Sequence, residues 1–547
     1  MPLKNPHSKF VFVSGGVLSS LGKGITTSSL ALLLQSRGYA VTVVKCENYL
    51  NIDSGLINPI EHGDAFLCED GTETDMDLGN YERFLNKNLG AHNFITMGQI
   101  YKAVIDRERD NGYHGEDIEA IPHVTDEIIR RIKLAAEQDH ADICLVELGG
   151  TTGEYQNVLY YEASRIMKLT GGDTVVHVHV SYLPTPAHVG EPKTKPTQLS
   201  VKQLNSMSIQ PDFLVARSET PLDTRRLDRL ALFCNVHKDD IILNPDQSTI
   251  YQVPLSFLKQ GFDTKILAKL GLPARSAKLS SWKKFVNQAL SPKDKSITIA
   301  IVGKYFKTGD YNLQDSYHAL FEALDHARIA SGIDLNIKSI NSAVIEKDGT
   351  DLLKGIAGII VPIGWGARGT TGKLMAIEYA RKNKIPYLGL CYGLQLAAVE
   401  FARNVVGLKG ANSTEIDPAT PDPIIHDIPF DPKYQRIKGN GASMRLGSYP
   451  CILKLDSLAT QIYKTTKINE RHRHRYEFNN AYREVLEKHG FVISGTSPDN
   501  FFVEMIELPR EIHPFFLATQ AHPEYKSRPL SPHPIFLAFL QAADKHS

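Results

Sequence analysis

Cys391 stands at the tip of Gly389-Leu390-Cys391-Tyr392-Gly393, a Gly-x-Cys-x-Gly turn of the nucleophile-elbow kind. Much later, Gln520-Ala-His-Pro-Glu524 puts His522 and Glu524 on one face if that segment is extended. A thiol, an imidazole to take its proton and a carboxylate to orient the imidazole are the parts of a covalent acyl-transfer centre. The first oxyanion donor expected is the backbone N–H after the nucleophile, that of Tyr392. Either motif alone is weak, since a cysteine between glycines is more often a packed thiol and His-Pro-Glu is commonly a loop. Together, in one half of an α/β chain, they favour catalysis.

A second chemistry lies near the N-terminus. Residues 14–25 read Ser-Gly-Gly-Val-Leu-Ser-Ser-Leu-Gly-Lys-Gly-Ile, after an apolar strand and before an apolar helix. There, backbone N–H groups and a helix N-terminus can face phosphate oxygens, with Lys23 adding a point charge. The usual loop is Gly-x4-Gly-Lys-Ser/Thr. Here the gap from Gly16 to Gly22 is one residue longer, and Gly24 replaces the hydroxyl residue. Magnesium then needs other oxygen ligands. Asp77 and Glu147 are candidates, although each taken singly reads as a surface or capping carboxylate.

These residues need a scaffold that presents loops at the ends of strands. Short apolar runs recur at Phe10–Val13, Val41–Val44, Ile143–Val146, Val175–Val180 and Phe213–Ala216, then at Ile297–Val302, Ile356–Val361 and Ile385–Leu390. Their length and β-branching suit buried strands with crossover helices between them. The expected fold is α/β in two domains, each a mainly parallel sheet with flanking helices. The expected boundaries are 1–272, a polar linker at 273–296, and 297–547. A chain of 547 residues exceeds one core. Lys plus Arg and Asp plus Glu are both 61, so no global field draws the protein to nucleic acid or membrane. Six scattered cysteines without a Cys-x-x-Cys pair argue against zinc and disulfides and for a reducing, cytoplasmic setting. Arg471-His-Arg-His-Arg475 could suggest a metal or nucleic-acid patch, but no cysteine or carboxylate cluster completes a zinc set.

At this point the chain resembles the CTP synthase family, the glutamine-dependent ligases that aminate UTP. The resemblance rests on an ordered series: the Ser14–Ile25 loop, Glu73–Phe84, Ile121-Pro-His123, Glu147–Thr151, Lys193-Thr-Lys-Pro-Thr-Gln198, Ala231–Val236, and the Cys391 and His522/Glu524 segments. It implies a P-loop-like amidoligase domain followed by a class I glutamine amidotransferase domain. It also implies ATP at Ser20, Leu21, Gly22, Lys23, Gly24, Ile25 and Asp77, and magnesium at Asp77 and Glu147. UTP or CTP would meet Ser19, Glu154, Tyr155, Gln156, Lys193, Thr194, Lys195, Pro196, Thr197, Gln198 and Arg229. Glutamine would meet Gly364, Tyr392, Gly393, Leu394, Gln395, Glu415 and Arg475. A homotetramer, GTP as activator of glutamine hydrolysis and CTP as feedback inhibitor are further implications.

The chain departs from the family's usual pattern in places. Gln156 replaces a carboxylate, Arg229 a lysine, and Ile363 the first glycine of the second oxyanion loop, Val361–Gly369. If that position required positive φ, isoleucine would be strained there. Two rival readings are a glutamine-dependent ligase with another acceptor, such as a modified nucleotide or a carboxylic acid, and a nucleotide-responsive protein whose amidotransferase half is a relic.

Overall fold

A computed structural model describes residues 9–58, 63–170, 172–188, 190–308, 311–312, 315–429 and 443–547. The chain forms two compact units. The first comprises residues up to Ser54 together with Asp77–Leu290, and the second Gly55–Met76 together with Ser291–Ser547.

The first unit is built on a seven-stranded sheet. Its order is Phe94–Thr96, Val41–Glu47, Ile143–Leu148, Lys9–Gly16, Thr174–Tyr182, Phe213–Ser218, Ile241–Pro245. Every pair is parallel. The strands are buried almost end to end, as helices on both faces require. Lys9–Gly16 lies centrally, and the chain leaves it first to one side and later to the other. Its C-terminal end is therefore a topological switch point, where open α/β sheets take ligands. The helix Lys23–Ser36 starts there.

The second unit holds a nine-stranded sheet. Its parallel part runs Asp334–Asn341, Ser296–Gly303, Gly358–Val361, Tyr387–Leu390, Phe516–Thr519. It continues antiparallel through Val503–Glu507, Val492–Thr496, Arg445–Leu453 and Lys467–His474. Cores lie on both faces: Ile359, Val361 and Leu394 belong to one cluster, Ile360, Leu388 and Phe536 to the other.

Two features cut across a simple division along the chain. Helix Ser280–Leu290 lies within the expected linker and buries Trp282 against Phe84 and Tyr251 of the first unit. Residues 55–76 group with the second unit, where Phe66–Leu67 and Glu73–Thr74 form a short antiparallel pair.

Candidate active site

Strand Tyr387–Leu390 ends on Cys391, which has φ 52° and ψ −99° and caps helix Tyr392–Phe401. A non-glycine residue in that region is strained and persists only when its surroundings hold it. Cys391 N–H donates to Thr519 O at 2.8 Å. A Cβ on Gly393 would lie 2.1 Å from Val361 O, and one on Gly389 within 2.8 Å of Tyr387 Oη and Ala518 Cβ. Both glycines of the elbow are thus steric necessities.

His522 follows the neighbouring strand, Phe516–Thr519. Its Nδ1 meets Glu524 Oε1 at 2.7 Å, its N–H donates to Arg471 O at 2.8 Å, and its ring stacks on Tyr525. With Nδ1 engaged, the buried Nε2 is left for the Cys391 sulfur. Burial works against the imidazolium. Glu524 and then the Cys391 sulfur override it and raise the His522 pKa to about 10. The Cys391 Sγ also accepts from Gln520 Nε2 at 3.5 Å. The His522 ring thus interacts with both Glu524 and the Cys391 sulfur.

A cleft of about 310 Å³ opens beside Cys391 and is lined also by Tyr392, Gln395, Glu415 and Arg475. It offers a carboxylate and a guanidinium for a zwitterionic head. Glu415 accepts from Gly366 N–H at 2.9 Å. Burial raises its pKa against the opposing pull of that N–H, Lys304 and Arg475. Gly393 and Leu394 are buried in the first helical turn and do not line the cleft. Ile363 is not among the residues with positive φ, so isoleucine is compatible with the loop's backbone. Gly364 N–H makes no hydrogen bond among the described residues.

The Arg471–Arg475 run is resolved as structure. Residues 471–474 are buried in the strand Lys467–His474. Arg471 pairs with Glu69 at 2.8 Å and donates to Leu67 O, and Arg473 pairs with Glu73 at 2.6 Å. No metal-binding group of three or more His, Cys, Asp or Glu occurs among the described residues. Asp64, from the same early segment, is partly buried near His522 and Glu524. That burial, opposed by Arg473 and reinforced by Glu524, puts its pKa at about 7.

In the first unit the glycine-rich loop carries positive φ at Val17, Ser20 and Gly22. Helix Lys23–Ser36 has no side-chain cap and no acidic residue in its first turn, which leaves its first-turn N–H groups without a capping side chain. Lys23 Nζ donates to Gly150 O at 2.7 Å. Burial and then Lys45 lower its pKa, and Glu147 and Asp77 partly restore it. Lys45 was not singled out from sequence. It bonds Asp77, meets Glu147 Oε1 at 2.9 Å and Glu47 at 3.2 Å. Burial raises the Glu147 pKa, and Lys45 opposes this. Asp77 and Glu147 thus converge on the Lys45 ammonium. A Cβ on Gly24 would lie 2.1 Å from Asp77 Oδ1, so glycine admits the carboxylate to the loop. Two carboxylates suit magnesium, which usually takes one or two with substrate phosphates.

Ser20, Leu21, Gly22 and Ile25 line a cleft of about 680 Å³ with Arg217 and Asn244, which sequence reasoning missed. Arg217 donates to Leu21 O and Asn244 O. Lys193, Thr194, Lys195 and Arg229 line another, of about 960 Å³, joined by Arg225 and Arg226. Pro196 opens the helix Lys195–Ser206. Thr197 and Gln198 turn inward, donating to Tyr182 O and Thr194 Oγ1. Ser19, Glu154, Tyr155 and Gln156 do not line this basic cleft. Glu154 accepts from Thr151 N–H and Asn48 Nδ2. Lone lysines and arginines carry no local sequence signal, and only the fold brings them together.

Comparison with known proteins bears on both units. Residues 9–272 match the family described as CTP synthase N-terminus, and residues 312–542 match glutamine amidotransferase class-I. A CTP synthase of Caldanaerobacter subterraneus is 48% identical over 98% of this chain and 98% of its own. One of Thermococcus gammatolerans is likewise 48% identical, over 98% of each chain. A solved structure, the glutaminase domain of Trypanosoma brucei CTPS with bound acivicin, is 37% identical over 46% of this chain and 95% of its own, with a TM-score of 0.41. Near-complete coverage of full-length relatives at this identity leaves one assignment: the chain is an enzyme of the CTP synthase family, a ligase with a glutamine amidotransferase half.

Proposed function

We propose that the protein aminates UTP to CTP with ammonia released from glutamine, at the expense of ATP. The observation that carries this reading is the coexistence in one chain of a complete Cys391–His522–Glu524 set and a phosphate loop with Lys23, Asp77 and Glu147 at its switch point.

In the second unit, glutamine enters the Cys391 cleft with its α-amino group toward Glu415 and its α-carboxylate toward Arg475. The Cys391 Sγ attacks the side-chain amide carbon while its proton rests on His522 Nε2. Glu524 holds the resulting imidazolium. The oxyanion takes hydrogen bonds from the N–H groups of Tyr392 and Gly364. His522 then delivers the proton to the leaving ammonia, and water releases glutamate from the thioester.

In the first unit, residues 20–25 bind the ATP phosphates, with Lys23 on the β/γ oxygens. Asp77 and Glu147 would hold Mg2+, which when bound neutralises phosphate charge. The γ-phosphoryl group moves to the 4-oxygen of UTP, turning a poor leaving group into a good one. Ammonia displaces phosphate at C4, giving CTP. Lys193, Lys195 and Arg229 neutralise the UTP triphosphate, assisted by Thr194 and by Gln198, which sets Thr194.

Free, buried cysteines fit a cytoplasmic setting. No helix among the described residues is long and apolar enough to cross a membrane. A homotetramer, activation by GTP and feedback by CTP complete the reading. Its test is CTP formation from UTP, compared with other acceptors. ATP- and glutamine-dependent turnover of another acceptor with UTP inert would overturn it.

A further inference from the structure

We propose that Lys373 is a positioning residue for the oxyanion hole. It holds the Pro362 and Ile363 carbonyls turned back from the nucleophile, so that the Gly364 N–H is presented to the oxyanion. This rests on the reading that Cys391 attacks an amide in the adjoining cleft.

The loop after strand Gly358–Val361 is gripped almost atom by atom. Lys373, fully buried, donates from Nζ to Pro362 O at 2.7 Å and approaches Ile363 O at 3.4 Å. Tyr317 Oη donates to Ile363 O at 3.1 Å and itself accepts from Lys304 N–H at 3.0 Å. Lys304 Nζ donates to Trp365 O at 3.2 Å and also bonds Gly366 O. Trp365 N–H goes to Tyr305 Oη and Gly366 N–H to Glu415. Within 364–366, the Gly364 N–H is the donor without an acceptor among the described residues.

The Ile363–Gly364 peptide is trans, so its N–H points opposite its carbonyl. Fixing Ile363 O against Lys373 and Tyr317 therefore fixes where the Gly364 N–H points. Donation to that carbonyl also polarises the same peptide unit and strengthens its N–H as a donor.

The second donor belongs to the same network. The Tyr392 ring lies 4.5 Å from Lys304 Nζ and 5.3 Å from Lys373 Nζ. Its hydroxyl donates to Gly366 O at 3.2 Å. One cluster thus spaces the Gly364 and Tyr392 N–H groups relative to each other. Burial and then the neighbouring Lys304 push the Lys373 pKa far down.

The test compares the full-length protein with Lys373→Met, of similar length but no donor, and Tyr317→Phe, which deletes one oxygen. Glutamine kcat should fall roughly 10- to 1,000-fold in Lys373→Met and less in Tyr317→Phe, with KM nearly constant. The γ-aldehyde analogue of glutamine adds to Cys391 as a hemithioacetal and needs the hole. Its affinity should fall in parallel with kcat. Iodoacetamide alkylation displaces iodide at carbon, forms no oxyanion, and should keep its rate, counted as label absent from Cys391→Ala. Unchanged kcat and aldehyde affinity would overturn the proposal. So would an iodoacetamide rate falling together with both, which marks general damage to the elbow. If Lys373→Met does not fold, Tyr317→Phe decides by the same three readouts. A lost iodoacetamide reaction in wild type would instead refute the Cys391 reading itself.

Discussion

His522 has Nδ1 held by Glu524 and Nε2 toward the Cys391 sulfur, an arrangement with a thermodynamic signature. Its pKa in the folded protein, about 10, exceeds the ordinary value of 6.5. Protonation of this residue therefore stabilises the fold fully below pH 6.5, and the contribution is lost as pH rises through about 10. Glu524→Gln removes the leading cause of the rise. The melting-temperature gap between wild type and Glu524→Gln should be widest near pH 6 and close toward pH 10. Glutamine-driven turnover of that variant should drop by roughly 10²-fold or more, with ammonium-driven turnover kept. At this scale, Cys391, His522, Glu524 and Lys23 could be singled out because each sits in a local motif. Lys45, Lys373 and Gln520 were not, because a lysine or amide in an ordinary segment has no mark until the fold gives it neighbours.

Elements set those residues through close backbone approaches, and glycines report them. Gly393→Ala would press a methyl group against Val361 O at 2.1 Å. The carbonyl belongs to a buried strand and cannot swing aside, so a loss of about 1–3 kcal/mol and of glutamine hydrolysis is expected from melting curves and glutamate release. Gly24→Ala would drive a methyl group into Asp77 Oδ1. It should abolish ATP-dependent turnover with either nitrogen source and leave glutamine hydrolysis measurable. Eight parallel strands were legible as short apolar runs between helices, whereas Phe94–Thr96, Ile241–Pro245, Asp334–Asn341 and Phe516–Thr519 were not singled out. The antiparallel strand Lys467–His474 was not. Its buried end reads Glu-Arg-His-Arg-His, and those charges are matched by Glu69 and Glu73, far away in sequence.

At the scale of the molecule, the two units do not follow one cut in the chain. Residues 55–76 supply Glu69, Leu67 O, Glu73 and Ala65 O to Arg471, Arg473 and Tyr525, the last stacked on His522. A fragment 291–547 alone would leave buried guanidinium groups without these partners. Losing one partner of a buried pair costs about 3–5 kcal/mol. The fragment should therefore melt well below the second unit of the intact protein, and Glu73→Gln should lower the intact protein's melting temperature in the same direction. A fragment as stable as the intact unit would show those pairs to be dispensable. The central claim is that a thiol-dependent ammonia supply and an ATP-dependent amination of UTP reside in this one chain. The most direct measurement is nucleotide chromatography after incubation with UTP, ATP, Mg2+ and GTP, with glutamine in one tube and ammonium chloride in another, for wild type and Cys391→Ala. The account expects CTP in both wild-type tubes, and for Cys391→Ala only in the ammonium tube. Glutamate release without CTP in either wild-type tube, or CTP from glutamine in Cys391→Ala, would contradict it.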